Sequence, residues 1–309
     1  MYKVSICIPT YEQPENLDKC LDSIVSQTFK DYEVIISDDS RTNSVELIVD
    51  KYKKVLNITY IKNQVPKGSP ENWNEAIRHA RGKYIKILHH DDRFRDSFGL
   101  ERFIELIESC DDIDAVFCSS YHVNKEGKYV SSHILSDERL LPVKKDSKNL
   151  FFGNQLGAPS IMLYRNGLNI FFDKRMRWLV DIDFYIRLLQ KKSFIYTKEE
   201  LISINISEEY RVTNGCINDR NINVYETMIM FDKFDIGKLN VKYKMHFIFL
   251  FLRFKVSSLA DIRELGYKNS VHLSIIKLLW IVRVISPFYK FFLNIKNTFN
   301  NWIYRCDNS

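Results

Sequence analysis

Glycine is scarce in this sequence, with 10 residues in 309, and the common glycine-rich phosphate-binding motifs are missing. Neither G-x-G-x-x-G nor G-x-x-x-x-G-K-[ST] occurs anywhere in the chain. These motifs hold the phosphates of dinucleotides and of nucleoside triphosphates at the start of a helix. Their absence argues against a dinucleotide-binding dehydrogenase and against a P-loop enzyme.

The six cysteines form no C-x-x-C pair, and several lie in apolar runs, where a reduced thiol packs as a small hydrophobe. No secretory signal is visible, because the first apolar run, residues 4–8, stops at Pro9. Internal repeats and low-complexity segments are absent as well. We therefore expect a reducing, cytoplasmic setting.

Charge is distributed unevenly along the chain. Residues 241–309 contain eleven Lys or Arg against three Asp or Glu, a surplus of eight. The whole chain carries +6, so the first 240 residues carry −2. The basic surplus therefore belongs to the C-terminal tail.

Strands alternate with amphipathic helices over the first 120 residues. Leu17, Cys20, Leu21, Ile24 and Val25 repeat at helical spacing and form one apolar stripe. Strands are predicted at residues 4–8, 33–37, 58–61, 84–88 and 115–119, with a helix after each of the first four. This alternation predicts βαβ units and a mostly parallel sheet flanked by helices.

The pattern is weaker after residue 121. Residues 122–147 are polar and predict a long loop with an irregular hairpin. Short strands are predicted at residues 160–164, 194–196 and 201–206, and helices at residues 178–189 and 218–234. With 45% hydrophobic residues, the chain can bury one large core with a helical appendage at its C-terminus.

Capping signals surround the third helix. Ser69, Pro70 and Glu71 are a hydroxyl, a proline and an acid in the order that starts a helix, which predicts Ser69 as the N-cap. Trp73 lies on the apolar stripe and is predicted to be core. Gly82 suits the left-handed position that ends a helix.

Carboxylates follow two of the predicted strands at their C-terminal ends. Asp38 and Asp39 end the second strand, and Asp91 and Asp92 follow His90 after the fourth. Open α/β sheets place ligand sites at this edge, and paired carboxylates suit Mg²⁺ or Mn²⁺ bridging substrate phosphates. The alternative for an isolated Asp-Asp pair is a solvated loop.

These strand ends together resemble the family-2 inverting glycosyltransferases of the GT-A fold, of the kind found in bacterial surface-polysaccharide synthesis. The matching segments are Pro9-Thr10-Tyr11, Asp38-Asp39-Ser40, His90-Asp91-Asp92, Gln27-Thr28-Phe29, Asn72-Trp73-Asn74-Glu75-Ala76, Gly82-Lys83-Tyr84-Ile85 and Asp181-Ile182-Asp183-Phe184-Tyr185-Ile186-Arg187. The resemblance covers residues 1–212 and excludes the tail. It implies transfer of a sugar from a nucleoside-diphosphate sugar, UDP-linked in many relatives, to a hydroxyl acceptor such as a lipid-linked glycan.

The resemblance also implies roles for individual residues. Asp39, together with Asp38, would accept a hydrogen bond from the base, and Asp91 would lie near the ribose or sugar. Asp92 would bind Mn²⁺ or Mg²⁺ directly. The remaining implied nucleotide-sugar contacts are Pro9, Thr10, Tyr11, Glu12, Lys67 and Asn72; Glu12 departs from the family's more usual Asn.

The base that activates the acceptor hydroxyl would be Asp181. Side chains two apart on a helix point roughly 200° apart, so Asp181 and Asp183 cannot share one task. We therefore expect Asp183 to be an N-cap or a scaffold contact. Two further roles stay open: His90 as packing or as a ligand contact, and Arg211 near the diphosphate or in a surface ion pair.

Two other functions compete with glycosyl transfer: a noncatalytic nucleotide-sugar-binding module and a nucleotidyltransferase. The joint presence of Asp39, Asp92 and Asp181 argues against the first. The second usually needs a glycine-rich or basic loop after the first strand, where this chain has Thr10-Tyr11-Glu12. Nucleic acid is not an expected partner, because the basic tail carries no known binding motif.

The predicted organisation is a catalytic domain, residues 1–237, with a nucleotide-binding half, 1–121, and an acceptor-binding half, 122–237. Residues 238–309 are predicted to be a basic amphipathic helical tail that lies on an anionic membrane without crossing it, on the cytoplasmic face. The predicted lipid-facing side comprises Leu278, Leu279, Val282, Ile285, Phe288 and Tyr289, with Trp280 nearby. The alternative is that this side packs on the protein.

Overall fold

The computed structural model describes residues 2–190, 193–207, 215–236 and 240–288. The chain divides into two compact units, residues 1–211 and 212–309. The predicted boundary between residues 237 and 238 lies inside the second unit, and the extent of the catalytic domain stays a prediction. Arg211 lies outside the described residues, as do Tyr289 and the rest of the tail.

The first unit is built on one sheet. Among the described residues its strands are β1 (Val4–Thr10), β2 (Tyr32–Asp38), β3 (Ile58–Lys62), β4 (Tyr84–Ile87), β5 (Arg93–Phe94), β6 (Ile113–Val123), β7 (Tyr129–His133), β8 (Met162–Arg165) and β9 (Ser193–Asn205). The spatial order is β3-β2-β1-β4-β8-β6-β9-β5, and β7 pairs with β6. The pairs β1–β2, β1–β4, β2–β3 and β6–β9 are parallel, and β8 is antiparallel to both of its neighbours.

Six α-helices accompany this sheet in the described part of the first unit. They are α1 (Pro14–Val25), α2 (Ser44–Tyr52), α3 (Glu71–Arg78), α4 (Gly99–Glu108), α5 (Asp137–Lys145) and α6 (Val180–Leu189). Their apolar stripes are buried as predicted, for example Leu17, Cys20, Leu21 and Ile24 of α1. All seven residues of β1 and of β2 are buried, which identifies the centre of the core.

Four local predictions were wrong. Residues 122–147 were predicted as a long loop with an irregular hairpin, but Asp137–Lys145 form helix α5. Helix α3 begins at Glu71 with Pro70 as its N-cap and no side-chain cap from Ser69. Gly82 is not left-handed; a β-carbon there would lie 2.6 Å from the backbone nitrogen of Ser5, so glycine is needed for close approach to β1. The two short strands predicted at residues 194–196 and 201–206 are one strand, β9, whose register shifts along β6.

The second unit is helical in its described part. It contains α7 (Arg220–Lys233), α8 (Val241–Arg253), α9 (Leu259–Glu264) and α10 (Leu273–Ile285), and α10 packs on α8. Leu278, Leu279 and Val282 are at most 3% exposed. Three of the residues predicted to face lipid are therefore internal packing, whereas Phe288, predicted on the same side, is 65% exposed. Periodicity alone cannot tell which of two apolar sides meets a neighbouring helix. No helix in the described residues is long and apolar enough to span a bilayer.

Candidate active site

The predicted site residues at the ends of β1, β2 and β4 lie at one edge of the sheet. Thr10 is paired with Asp38 across β1 and β2, and Cys7 with Ile87 across β1 and β4, so these three parallel strands end together. The loop after β4 carries His89 to Asp92. A small recess at this edge is lined by the acids Asp91 and Asp92. Its lining also includes three basic residues, Lys19, Arg93 and Lys125, and two residues from the C-terminal end of β9, Ser203 and Asn205.

Three potential metal ligands converge in the loop after β4. Atoms of His89, Asp91 and Asp92 that can bind metal lie within 4.8 Å of one another. The sequence predicted Asp92 as the ligand and Asp91 near the ribose or sugar, and it did not predict that His89 meets them. Two carboxylates suit Mg²⁺ or Mn²⁺, and an added imidazole favours a transition metal such as Mn²⁺.

The electrostatics of this cluster suit a cation. Asp92 is 4% exposed, and its burial, together with the neighbouring charge of Asp91, raises the pKa of its carboxyl well above the usual range. Burial lowers the pKa of His89 to about 4, which leaves a neutral imidazole. Its Nε2 is buried and has no hydrogen-bond partner among the described residues. A divalent cation would compensate the buried carboxylate and use this nitrogen.

Ser160 holds the loop in place. Its hydroxyl accepts a hydrogen bond of 3.0 Å from the backbone N–H of His89 and donates to Asp92, which also accepts from the backbone N–H of Asn205. The carbonyl of Ser160 accepts from the ammonium group of Lys86. These contacts could not be predicted from the sequence, because Ser160 lies 71 residues from His89.

Lys86 is a fully buried cation beneath the loop. Its Nζ donates to the carbonyl of Ile87 at 3.0 Å and lies 4.9 Å from the ring centre of Phe103. Burial lowers the pKa of Lys86 to about 8. Backbone carbonyls and the electron-rich face of an aromatic ring replace part of the hydration that the ammonium group loses.

His90 faces β1 instead of the cluster. Its Nδ1 lies 3.1 Å from the carbonyl oxygen of Pro9, which requires the tautomer with a proton on Nδ1. The Nε2 atom is buried and lacks a hydrogen-bond partner within the described ranges. Pro9 thus takes part in the site through its carbonyl, and a ligand contact of His90 stays a prediction.

Asp38 is fully engaged within the protein. Its carboxylate accepts from Thr10 Oγ1 at 3.1 Å, Ser40 N at 2.8 Å, Tyr60 OH at 2.7 Å and Lys62 Nζ at 2.9 Å. Burial alone would raise the pKa of Asp38, but these hydrogen bonds lower it below the usual value. A carboxylate offers about four acceptor positions, so Asp38 ties the ends of three strands together.

Asp39 organises the opposite side of the site. Its Oδ1 accepts from Asn63 Nδ2 at 2.8 Å and from the backbone N–H of Lys67 at 3.0 Å, and its Oδ2 accepts from the N–H of Gly68 at 2.7 Å. Asn72 joins this network, since it accepts from Asn63 and donates to the carbonyl of Thr10. The structure therefore brings Asp39, Lys67, Asn72 and Thr10 together.

Tyr11 and Glu12 follow β1 at the rim. The side chain of Tyr11 is 49% exposed. Glu12 has a left-handed backbone, with φ of 53°, and its carboxylate accepts from Arg41 N at 3.0 Å and from Thr42 Oγ1 at 3.1 Å. The ammonium group of Lys67 pairs with Glu75 at 3.2 Å. Nucleotide contacts of these residues stay predictions.

The two acids of α6 have different surroundings. Asp183 is fully buried, and its Oδ2 accepts from Arg187 Nε at 3.0 Å and Nη2 at 2.6 Å, the scaffold contact that the sequence predicted. Asp181 is half-buried at the start of the helix, and its Oδ1 is sealed from solvent with no hydrogen-bond partner in the described part of the chain. Burial raises the pKa of Asp181 to about 7.

A row of aromatic rings runs from the metal-ligand cluster to α6. The rings of His89 and Trp73 have centroids 4.6 Å apart, those of Trp73 and Phe172 5.0 Å, and those of Phe172 and Phe184 4.1 Å. Phe172 is held by Asn74, which exchanges two hydrogen bonds of 2.8 Å with its backbone. Trp73 was predicted to be core, and it is half-buried. Its ring also connects His89, in the loop after β4, to Phe172, which packs on α6.

Several known proteins are similar to this chain in sequence. The glycosyl transferase family 2 profile matches residues 5–171. An uncharacterized glycosyltransferase of Methanocaldococcus jannaschii is 31% identical over 217 residues, covering 68% of this chain and 71% of that protein. The GalNAc(5)-diNAcBac-PP-undecaprenol beta-1,3-glucosyltransferase of Campylobacter jejuni is 35% identical over 94 residues, 30% of each chain.

Two solved structures are similar in fold. TarS 1-349 of S. aureus in complex with UDP-GlcNAc has a TM-score of 0.62 at 18% identity, covering 92% of this chain and 81% of that one. The mannosyltransferase PcManGT of Pyrobaculum calidifontis in complex with GDP-Man and Mn²⁺ has a TM-score of 0.58 at 14% identity, covering 96% and 87%.

The family profile, the relatives and the fold together identify this protein as a glycosyltransferase of the GT-A type. Within that class, the chain belongs to glycosyl transferase family 2. The resemblance and the fold class predicted from the sequence are thereby confirmed.

Proposed function

We propose that this glycosyltransferase moves a sugar from a UDP-linked donor to a hydroxyl of a lipid-linked glycan, with inversion at the anomeric carbon and with Mn²⁺ or Mg²⁺ as cofactor. The proposal rests on the presence of two separate groups of acidic residues in the first unit. The first is the convergent set His89, Asp91 and Asp92. The second is Asp181, a single carboxyl with one unpartnered oxygen among the described residues and a pKa of about 7.

The first centre suits the departing diphosphate. Breaking the anomeric C–O bond places negative charge on the leaving group. His89, Asp91 and Asp92 would hold the cation, which when bound supplies positive charge to the phosphate oxygens. The recess beside them carries Lys19 and Arg93, whose charges have the sign that a diphosphate requires. Ser160 donates to the Asp92 carboxylate and holds the backbone of His89, and Lys86 in turn donates to the carbonyl of Ser160.

The second centre suits the acceptor. A general base works best when its pKa is close to the working pH, because it is then ionised and still binds a proton well. Asp181 meets this condition through burial alone. The neighbouring acid cannot replace it, because both hydrogen bonds from Arg187 hold Asp183 in a buried ion pair.

The nucleotide would lie along the Asp39 side of the site. Three donors contact the Asp39 carboxylate, and a carboxylate has about four acceptor positions, so one remains for an N–H of the base. Uracil offers such an imide N–H. TarS was solved with UDP-GlcNAc, which supports a UDP-linked donor, whereas PcManGT was solved with GDP-Man. The proposed acceptor class rests on the similarity to the glucosyltransferase of C. jejuni, whose name gives an undecaprenol-linked glycan as its substrate.

The experiment is a panel of UDP- and GDP-sugars incubated with the protein and Mn²⁺, first alone and then with polyprenyl-diphosphate glycans. Release of nucleoside diphosphate and extension of the lipid-linked glycan are measured together. Transfer from one UDP-sugar that stops in EDTA and returns with Mn²⁺ supports the proposal. Binding of a nucleotide-sugar without hydrolysis or transfer to any acceptor would favour a noncatalytic module.

A further inference from the structure

Helix α10 has two apolar sides. One side, Ile275, Leu278, Leu279 and Val282, is buried in the second unit. The other side is open to solvent: Leu273 is 62% exposed, Trp280 69%, Val284 53% and Phe288, just past the helix end, 65%. Surface apolar residues that occur singly are ordinary, but these large side chains recur on one side of one helix.

Helical geometry shows that the exposed residues form one stripe. At about 100° per residue, Leu273, Trp280 and Val284 fall within roughly 40° of one another, directly opposite the buried side. Ile281, which is 37% exposed, borders this group. Phe288 is exposed just beyond the helix, in a short 3₁₀ turn, Ser286–Phe288. We call Leu273, Lys277, Trp280, Ile281, Val284 and Phe288 the outer stripe.

The charge around the outer stripe has a single sign. Lys277 lies within the stripe and Arg283 beside it, and neither forms an ion pair in the part of the chain that the structure describes. The sequence contains no Asp or Glu between Glu264 and Asp307, whereas it contains six Lys or Arg there. A partner for this surface must therefore accept both large apolar side chains and positive charge.

We propose that the outer stripe of α10 docks this protein on the surface of an anionic lipid bilayer. Trp280 has the amphipathic ring that favours the boundary between headgroups and acyl chains, while Lys277 can extend its ammonium group to the headgroups. Interfacial helices of this kind bind through buried apolar area together with attraction to anionic lipid. The inference rests on the proposed function in one respect, since a lipid-linked acceptor resides in a membrane.

A second copy of the chain fits this surface less well. In a symmetric contact, each stripe would bury Lys277 against the same positive stripe of its partner. Removing an unpaired ammonium group from water costs several kcal/mol of solvation, and no acid of α10 is available to compensate it. An anionic surface supplies the opposite charge.

The experiment uses the full chain and sedimentation with phosphatidylcholine vesicles, with and without phosphatidylglycerol. We expect the wild type to bind the vesicles that contain phosphatidylglycerol and to be released as salt rises. Trp280→Ser combined with Phe288→Ser should weaken binding by roughly tenfold or more, and Lys277→Glu should weaken it at low salt. Leu47→Ser is the matched control, because Leu47 is an apolar residue of α2 with 67% exposure, and it should bind as the wild type does.

Two measurements separate this inference from the proposed function and from dimerisation. Donor hydrolysis without vesicles should be the same in Trp280→Ser/Phe288→Ser as in the wild type, and thermal unfolding should confirm its fold. Vesicle binding unaffected by Trp280→Ser/Phe288→Ser and by Lys277→Glu would overturn the inference. A dimer in solution that the double variant converts to a monomer would overturn it as well, in favour of a second copy. Loss of transfer activity in every form of the protein, with vesicle binding intact, would count against the proposed function alone.

Discussion

Replacing Asp181 by Asn should stop glycosyl transfer and at the same time stabilise the protein. Burial raises the pKa of Asp181 from 3.8 to about 7, so the folded protein carries a carboxylate that would be better solvated in the unfolded chain. Each pKa unit corresponds to about 1.4 kcal/mol, which gives an upper limit of about 4 kcal/mol for the destabilisation at pH 8. Asn removes the charge and keeps the size of the side chain.

The pH dependence follows from the sign of this shift. Because the folded-state pKa lies above the unfolded one, the stability contributed by the protonated carboxyl is complete below pH 3.8 and is lost as pH rises through about 7. The free energy of unfolding of Asp181→Asn should therefore exceed that of the wild type by an amount that grows with pH over this interval and levels off above it. Urea unfolding of both proteins at a series of pH values measures the difference.

Activity should show the same titration. In the wild type, kcat should rise about tenfold per pH unit below pH 7 and become constant above it, because only the ionised base accepts the acceptor proton. Asp181→Asn should lower kcat by roughly 10² to 10⁴ and leave the KM for the donor nearly unchanged.

Asp183→Asn is the matched control on the same helix. Arg187 would lose a buried ionic partner, so this variant should be less stable than the wild type, by on the order of 3 kcal/mol. The two substitutions should therefore change the free energy of unfolding in opposite directions, which distinguishes a destabilising functional acid from a stabilising structural one. A less stable Asp181→Asn at pH 8, or an active Asp181→Asn beside an inactive, folded Asp183→Asn, would refute the reasoning.

Five further substitutions, at four positions, test the rest of the site. Asp92→Asn should weaken Mn²⁺ binding at least tenfold by isothermal titration calorimetry, because it removes a charge from the set His89, Asp91 and Asp92; unchanged affinity would exclude Asp92 as a ligand. Ser160→Ala should lower Mn²⁺ affinity several-fold, since the Asp92 carboxylate loses a donor that holds it in place, while Ser160→Thr should restore part of the affinity. Asp39→Asn should weaken UDP binding roughly tenfold. Asp38→Asn should mainly lower the unfolding temperature, because four protein donors already occupy the Asp38 carboxylate. The reverse result would mean that Asp38, and not Asp39, contacts the base.

The order of the elements and the edge that carries the site could be predicted from the sequence. Apolar runs that alternate with helical stripes indicate parallel strands, and parallel strands carry the residues that follow them to one edge. Asp39, Asp91 and Asp92 could be found for this reason. Asp183 could be separated from Asp181 because helical geometry points the two side chains in different directions.

The contacts that hold the site could not be predicted. Ser160 and Lys86 act through contacts between β4 and a 3₁₀ turn more than 70 residues away, and no periodicity reports such a contact. The approach of His89 to Asp91 and Asp92 could not be predicted either, because it depends on how a short loop turns the imidazole ring. The same limit applies to α10, where both sides are apolar and only the neighbouring helix decides which side is buried.

The row of rings from His89 through Trp73 and Phe172 to Phe184 bears on how the specificity of this enzyme could be changed. Backbone hydrogen bonds fix the strands, but ring thickness helps to set the spacing between the loop after β4 and α6. Exchanging Phe172 for a smaller apolar residue would alter that spacing without touching a carboxylate. Because Asp181, the proposed acceptor base, lies on α6, Phe172 is a rational first position for a library that seeks bulkier acceptors.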